Sequence, residues 1–135
     1  MVKMIVGYTG QLHCELTHEP SGSRIETDAP KDNMGRGERF SPTDLVGAAL
    51  ASCVLTTMGI VAQRDGVNIE GAQAAVQKEM VSQPTRRIGA LPVQVTLPAA
   101  LPAEYRKKME NAALACPVKK SLHPDVRVEF SFSYV

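Results

Sequence analysis

The stretch SPTDLVGAALASCVLTTMGIVAQRDG, residues 41–66, decides the fold of this chain. Ser41 is a favourable N-cap residue, Pro42 suits the first helical position, and Asp44 faces the unpaired amides of the first turn. Gly66 follows as a C-terminal stop. Together these signals predict one long helix that begins after the serine and ends before the glycine.

No charged residue stands between Asp44 and Arg64, and apolar residues occupy every face of this helix rather than one stripe. Such a helix is surrounded either by protein or by lipid. The segment is rich in Ala, Gly, Ser and Thr and lacks the aromatic belts of a membrane span. We therefore predict the buried central helix of a globular domain and no membrane association.

The composition excludes several classes of function. The net charge is +1, from 15 basic and 14 acidic residues, so the sequence offers no basic surface for nucleic acid or acidic lipid. The N-terminus has no secretory signal pattern. The 3 cysteines are too few for a disulfide framework and lack zinc-ligand spacing. We expect a cytoplasmic protein without metal or cofactor, in which any disulfide is transient and catalytic.

Before the helix, the pattern predicts strands over residues 2–8 and 12–18, or one long bent strand, and a short strand over 24–27. Alternation places Cys14 inward with two leucines, as core filling, and we interpret His13 and His18 as solvated. Residues 28–40 form a charged loop with Arg36 and Arg39, which leads directly into the helix.

After the helix, residues 67–83 predict one long strand, although their alanine content also allows a helix. Residues 83–89 predict a turn, and 91–97 a second strand whose Pro92 indicates an early or edge position. A helix is predicted from Pro102 to Cys116, where Pro117 ends it, and a short turn follows. The alternation over residues 126–134 predicts a final strand. The order predicts one α+β domain over 1–135 with an antiparallel sheet.

Two cysteines carry the candidate chemistry. Cys116 precedes Pro117 and two lysines, where exposed amides and ammonium groups favour a thiolate. Cys53 lies in the middle of the long helix and gains nothing from the helix dipole. It needs a cation from another segment, for which Arg36 and Arg39 are the candidates.

The SPTDLVGAALASC motif on a central helix, with ACPV at residues 115–118 before a final strand, resembles the OsmC/Ohr family of organic hydroperoxide reductases. The resemblance implies an intertwined homodimer whose sheets wrap around two central helices. It also implies that Cys53 is the peroxidatic thiolate, that Cys116 resolves its sulfenate as a disulfide, and that a thiol or dithiol restores the enzyme. Arg39 and Asp44 complete the predicted catalytic set.

One position departs from that family. The hydroperoxidases carry a glutamate directly after the helix proline, where it holds the activating arginine, and this chain has Thr43 there. Asp44 comes one residue later, rotated by about 100° on the helix. Two functions therefore stay open: an organic hydroperoxidase, or a non-catalytic OsmC-like protein that binds an apolar small molecule or senses redox state. A cysteine hydrolase using His123 as its base is a third, less supported alternative because no orienting group is evident.

Overall fold

The computed structural model describes residues 1–135, the whole chain. They divide into two compact units, Met1–Val46 and Gly47–Val135, and each unit is described by itself. The boundary falls inside helix α1, Pro42–Arg64, so this element belongs to both units. The single domain over 1–135 stays a prediction.

The first unit contains a three-stranded antiparallel sheet in the order β1-β2-β3. Its strands are β1 at Met4–Gly10, β2 at His13–His18 and β3 at Arg24–Asp28. The tight turn between β1 and β2 uses a left-handed backbone, which Gly10 adopts at φ 97° without strain. All three predicted strands are confirmed.

The two faces of this sheet differ in chemistry. Paired residues of antiparallel strands share a face, and the polar face brings together His13, Glu15, Glu26 and Asp28. The opposite face, which we call the apolar sheet face, carries Met4, Val6, Tyr8, Cys14, Leu16 and Ile25. Met4 is 65% exposed, Val6 57% and Tyr8 66%. The chain on its own therefore leaves most of this apolar face uncovered.

The interpretation of His13 as a solvated residue is wrong. Its side chain is only 20% exposed, and its two ring nitrogens lie 2.6 Å from Asp28 Oδ1 and 3.1 Å from Glu26 Oε1. Both partners come from β3, so the strand pattern of β2 alone does not reveal them. Cys14 is half-buried on the apolar sheet face, on the side that the alternation predicts.

Helix α1 begins and ends where the sequence predicts. Ser41 Oγ accepts a hydrogen bond from the Asp44 N–H at 3.1 Å, and Asp44 Oδ2 accepts one from the Ser41 N–H at 2.9 Å. This reciprocal capping box satisfies two backbone donors at the helix start. Gly66, at φ 69°, follows the C-terminal end.

The burial of α1 differs from the prediction in one respect. Leu50, Val54 and Met58 are fully buried, which identifies α1 as a core helix even though its length and composition also satisfy the criteria for a membrane span. A stripe on the other side remains exposed, formed by Ala49, Ser52, Thr56 and Ile60. The prediction that every face is covered is therefore not met within one chain.

The second unit contains β4 at Gln73–Val76, β5 at Glu79–Val81, β6 at Arg87–Ala90, β7 at Val93–Leu97, α2 at Ala103–Leu114, α3 at Pro117–Ser121 and β8 at Phe130–Tyr134. Three of these strands form a sheet in the order β4-β7-β8, and β5 pairs with β6. Val93, Val95 and Leu97 alternate inward with at most 2% exposure, so β7 supplies one side of the core.

The fold class is confirmed as mixed α and β, with three local differences from the prediction. The strand predicted over 67–83 is divided into β4 and β5, and β6 lies in the segment predicted as a turn. Strand β8 pairs parallel to β7, not antiparallel. The parallel pairing follows from the connection, because a crossover through α2 and α3 returns the chain to the same end of the sheet. Pro92 precedes β7, as an early position predicts.

Replacement of a buried side chain in α1 tests its role as the core helix. We expect Met58→Ala to lower the free energy of unfolding by about 2–5 kcal/mol, because Met58 is fully buried and the change leaves a cavity. Leu114→Ala, at a side chain that is 49% exposed, is the control and should cost less than about 1 kcal/mol. Equal losses of unfolding free energy in the two variants, measured by urea denaturation, would contradict the assignment of Met58 to the core.

Candidate functional site

Cys53 lies in the middle of α1 and is half-buried. Thr57 is one helical turn further on, and its hydroxyl lies 3.9 Å from Cys53 Sγ. Residues four apart share a helix face, so the sequence places this hydroxyl next to the thiol.

Cys116 is the N-cap of α3 and is fully buried. Its backbone is extended, at φ −60° and ψ 123°, because the following Pro117 excludes the helical conformation. The chain therefore ends α2, turns at the cysteine and starts a new helix. The backbone N–H groups of the first turn of α3 lie beside the sulfur atoms: Val118 N–H bonds both cysteines and Lys119 N–H bonds Cys116.

The two thiols are free and hydrogen-bonded to each other. Burial raises the pKa of Cys53, but hydrogen bonds from the Cys116 thiol, the Val118 amide and the Thr57 hydroxyl outweigh it, so the net pKa is lowered. Burial, reinforced by the hydrogen bond with Cys53, raises the pKa of Cys116 despite the Lys119 and Val118 amides. Cys53 is thus the cysteine of the pair that ionises more readily, and the Cys116 thiol donates a hydrogen bond to it.

The raised pKa of Cys116 contradicts the prediction that its surroundings favour a Cys116 thiolate. The expected backbone amides are present, but burial of Cys116, together with its hydrogen bond to Cys53, raises its pKa more than they lower it. Sequence reasoning also missed Thr57 and the Val118 amide as partners of Cys53. The spacing from residue 53 to residue 57 was the available signal for the threonine. Nothing in the sequence indicates that the Val118 amide reaches the helix cysteine.

The other predicted site residues lie as follows. Arg39 belongs to the first unit, where its Nε is 3.4 Å from Glu26 Oε2. Asp44 caps α1 through the Ser41 amide. The catalytic roles of Arg39 and Asp44 stay predictions. His123 is 71% exposed and accepts a hydrogen bond from the Asp125 N–H, which is the turn role that its position before a proline predicts and gives no support to a hydrolase.

A group of possible metal ligands lies on the polar face of the first sheet. Ligand atoms of His13, Glu15 and Glu26 are within 4.8 Å of one another. Both nitrogens of His13 already face carboxylates, and the two glutamates pair with Arg24 and Arg39. We therefore interpret this group as an ion-pair network.

The hydroxyl of Thr57 provides a test of the thiolate assignment. We expect Thr57→Val to raise the pKa of Cys53, because the variant removes one hydrogen bond to the thiolate while keeping the shape of the side chain. The rate of Cys53 alkylation by iodoacetamide is measured by mass spectrometry as a function of pH. The pH profile of this rate should shift to higher pH. Thr56→Val is the control, since Thr56 bonds the Ser52 carbonyl instead. An unchanged Thr57→Val profile would contradict the assignment.

Comparison with known proteins places this geometry in context. The family model described as OsmC-like protein matches residues 35–131. A structure from Psychrobacter arcticus, provisionally described as an osmotic stress induced and detoxification response protein, is 42% identical with a TM-score of 0.92, covering 98% of this chain and 96% of that one. A comparison with curated proteins found no match.

More distant structures share the fold. An organic hydroperoxide resistance protein OsmC from Legionella pneumophila is 18% identical with a TM-score of 0.77, covering 98% of this chain and 96% of that one. The organic hydroperoxide resistance protein OhrB of Bacillus subtilis is 19% identical with a TM-score of 0.70, covering 98% of each chain. At these identities the likeness concerns the fold alone.

Proposed function

The chain belongs to the OsmC-like protein family, and we propose that it is a thiol-dependent peroxidase that reduces organic hydroperoxides. The observation that carries the proposal is the hydrogen-bonded pair of free thiols, in which Cys53 has a lowered pKa and Cys116 a raised one. A peroxidatic cysteine has to be a thiolate, and its resolving partner has to lie within reach of the resulting sulfenic acid.

The reaction has two steps on the protein. The Cys53 thiolate attacks the terminal peroxide oxygen, the O–O bond breaks, and the alkoxide takes a proton and leaves as alcohol. The Cys116 sulfur then attacks the Cys53 sulfenic acid, which releases water and forms a disulfide. An external thiol or dithiol reduces that disulfide and returns both thiols. No metal or organic cofactor takes part in this scheme.

The ionisation of Cys53 has a further contributor in this proposal. A guanidinium close to a thiolate stabilises it, and we assign this role to Arg39, with Asp44 acting through the cap that begins α1. Arg36 is the alternative cation in the same loop. The half-buried setting of Cys53, in a helix without charged residues between Asp44 and Arg64, favours alkyl hydroperoxides over hydrogen peroxide.

Separate serine variants test the roles of the two cysteines. We expect Cys53→Ser to reduce cumene hydroperoxide turnover to the uncatalysed rate, because it removes the attacking sulfur. Cys116→Ser should keep the first oxidation in a single turnover, seen as a Cys53 sulfenic acid, but form no intramolecular disulfide. Cys14→Ser is the control and should behave as the unmodified protein. If Cys116→Ser abolished the first oxidation and Cys53→Ser left it intact, the two roles would be reversed.

We also propose that the protein is a homodimer. Two exposed regions support this assembly: the apolar sheet face of the first unit and the uncharged stripe of α1, where Ile60 is 52% exposed. Monomeric proteins rarely leave a large contiguous apolar surface in water. A second copy of the chain would bury both regions and meet the expectation of a fully surrounded helix.

Two neighbouring residues on opposite sheet faces test the dimer. We expect Val6→Glu to weaken the dimer about a hundredfold or more, since it places a charge on the apolar sheet face. Ile5→Glu, on the opposite face and with a similar exposure of 48%, is the matched control and should leave the dimer intact. Light scattering during size-exclusion chromatography measures both. Equal behaviour of the two variants would contradict the proposed interface.

We also propose that the chain is a single domain and that it is cytoplasmic. The OsmC-like match over 35–131 crosses the boundary between the two units, which supports one domain over 1–135. The 3 cysteines, too few and too scattered for a disulfide framework, support a reducing compartment, the cytoplasm.

A cleft beside α1 favours the alternative function, a non-catalytic protein that binds an apolar small molecule. A cleft of about 730 Å³ lies along the C-terminal half of α1 and the segment after it, with Leu55, Gly59, Val67 and Ile69 among its lining residues. Its largely apolar lining suits an apolar small molecule. If the protein acts by binding such a molecule there, binding should be unaffected by Cys53→Ser.

A further inference from the structure

A disulfide between Cys53 and Cys116 offers an external thiol two sulfur atoms to attack. Attack on one sulfur expels the other as a thiolate, so the reaction favours the direction in which the better leaving group departs. The two positions differ in this respect, because Cys116 is fully buried and Cys53 is half-buried. A negative charge costs more at the more buried position.

Hydrogen-bond donors also favour Cys53 as the leaving thiolate. The Thr57 hydroxyl lies 3.9 Å from Cys53 Sγ, and the Val118 amide bonds the same sulfur. Neither donor depends on the Cys116 thiol, so both can act while Cys116 is bonded to the reductant. Burial raises the pKa of both cysteines, and only at Cys53 do the hydrogen bonds outweigh it. Expulsion of Cys53 therefore costs less than expulsion of Cys116.

Access to Cys116 depends on α3, the helix that begins directly after it. In the dithiol form Cys116 is covered and a reductant meets Cys53 first. Helix α3 has only five residues, none of them buried, and a helix this short is not stable by itself. Its Val118 and Lys119 amides donate to the sulfur atoms. A neutral disulfide accepts hydrogen bonds less strongly than a thiolate, so oxidation weakens the attachment of this first turn.

Helix α1 is not free to move in the same way. Leu50, Val54 and Met58 are fully buried on it, so the core fixes the backbone that carries Cys53. Helix α3 has no such residue. A movement that uncovers the disulfide is therefore a movement of α3, and it uncovers Cys116.

We propose that the reductant attacks Cys116 after α3 loosens, and that Cys53 leaves as the thiolate. The inference rests on the proposed function, which supplies the disulfide and the thiol or dithiol that reduces it. It gives Cys116 a second role, as the sulfur that receives the reductant. It also gives Thr57 a part in the reduction of the disulfide, as a donor to the leaving sulfur.

The reduction then proceeds through a mixed disulfide on Cys116. A reductant thiolate bonds to Cys116 Sγ, the S–S bond breaks, and its electron pair passes to Cys53 Sγ. The second thiol of a dithiol reductant loses its proton and attacks the reductant sulfur of the mixed disulfide. The bond to Cys116 breaks, Cys116 takes up a proton, and the reductant leaves as its own disulfide. Two electrons have passed to the protein, and Cys53 is left as a thiolate.

The leaving-group role is tested on a disulfide made with diamide, which takes two hydrogens from a pair of thiols. We measure the rate constant for its reduction by dithiothreitol, using acid quenching and thiol counting by mass spectrometry. Thr57→Val should slow the reduction by about three- to tenfold, since it removes a hydrogen bond to the leaving thiolate. Thr56→Val is the matched control, because Thr56 bonds the Ser52 carbonyl. Equal rates for Thr57→Val and the unmodified protein would overturn the inference.

Trapping of the mixed disulfide identifies the sulfur that is attacked. The diamide-made disulfide is mixed with 2-mercaptoethanol, quenched with acid at short times and mapped by mass spectrometry. The adduct should lie on Cys116, with Cys53 free. An adduct mainly on Cys53 would overturn the inference.

Hydrogen exchange measures the loosening of α3. Amides of residues 117–121 should exchange at least about fivefold faster in the disulfide form than in the dithiol form, while the amides of α1 around Leu50 and Val54 keep their protection. Cys14→Ser should respond to diamide as the unmodified protein does, and Cys53→Ser should not respond. Equal protection of residues 117–121 in the two forms would overturn the role of α3.

The use of diamide separates this inference from the proposed function. If cumene hydroperoxide oxidised the unmodified protein no faster than Cys53→Ser while the diamide-made disulfide behaved as described, the peroxidase would fail and the inference would stand. Rapid oxidation by the hydroperoxide, followed by an adduct on Cys53, would leave the peroxidase and overturn the inference. A protein in which diamide does not join Cys53 to Cys116 would overturn both.

Discussion

A hydrogen bond between two sulfur atoms, one in the middle of a long helix and one at the start of a short helix, is the interaction on which the site depends. It forms because α1 carries Cys53 at the level where Pro117 forces the chain to leave α2 and start α3. The same break frees the Val118 amide to donate to Cys53. Burial then acts unequally: Cys53 is half-buried and Cys116 fully buried. Two chemically identical side chains thereby acquire pKa values that are shifted in opposite directions.

The structure lowers the pKa of Cys53 largely without help from charged groups. Its hydrogen-bond partners are a thiol, a backbone amide and a hydroxyl, all neutral groups whose hydrogen bonds favour the ionised form. This arrangement suits a core that has to remain apolar, because an isolated buried charge would be costly. Thr43 stands where the hydroperoxidases carry a glutamate. Because neutral groups lower the pKa of Cys53, this difference affects the ionisation of Cys53 less than the sequence alone suggests.

The sequence predicted the elements that local chemistry determines. The helix from residue 42 to 64, its capping residues and its glycine stop follow from neighbouring residues, as do strands β1 to β3 and the end of α2 at Pro117. The features it did not predict depend on contacts between distant segments. His13 looked solvated because its partners Asp28 and Glu26 come from another strand. The split of β4 from β5, and the existence of β6, depend on which strands pair. The parallel pairing of β8 was foreseeable, since two helices separate it from β7 and such a crossover connects parallel strands.

The central claim is that Cys53 and Cys116 form one redox couple. Intact-protein mass spectrometry with thiol counting and disulfide mapping, after one equivalent of cumene hydroperoxide and separately of hydrogen peroxide, tests it most directly. We predict rapid loss of two thiols and two hydrogens from the protein, a linkage between Cys53 and Cys116, and faster reaction with the organic peroxide. Three unchanged thiols, or slow oxidation that includes Cys14 equally, would contradict the account and direct attention to the apolar cleft beside α1.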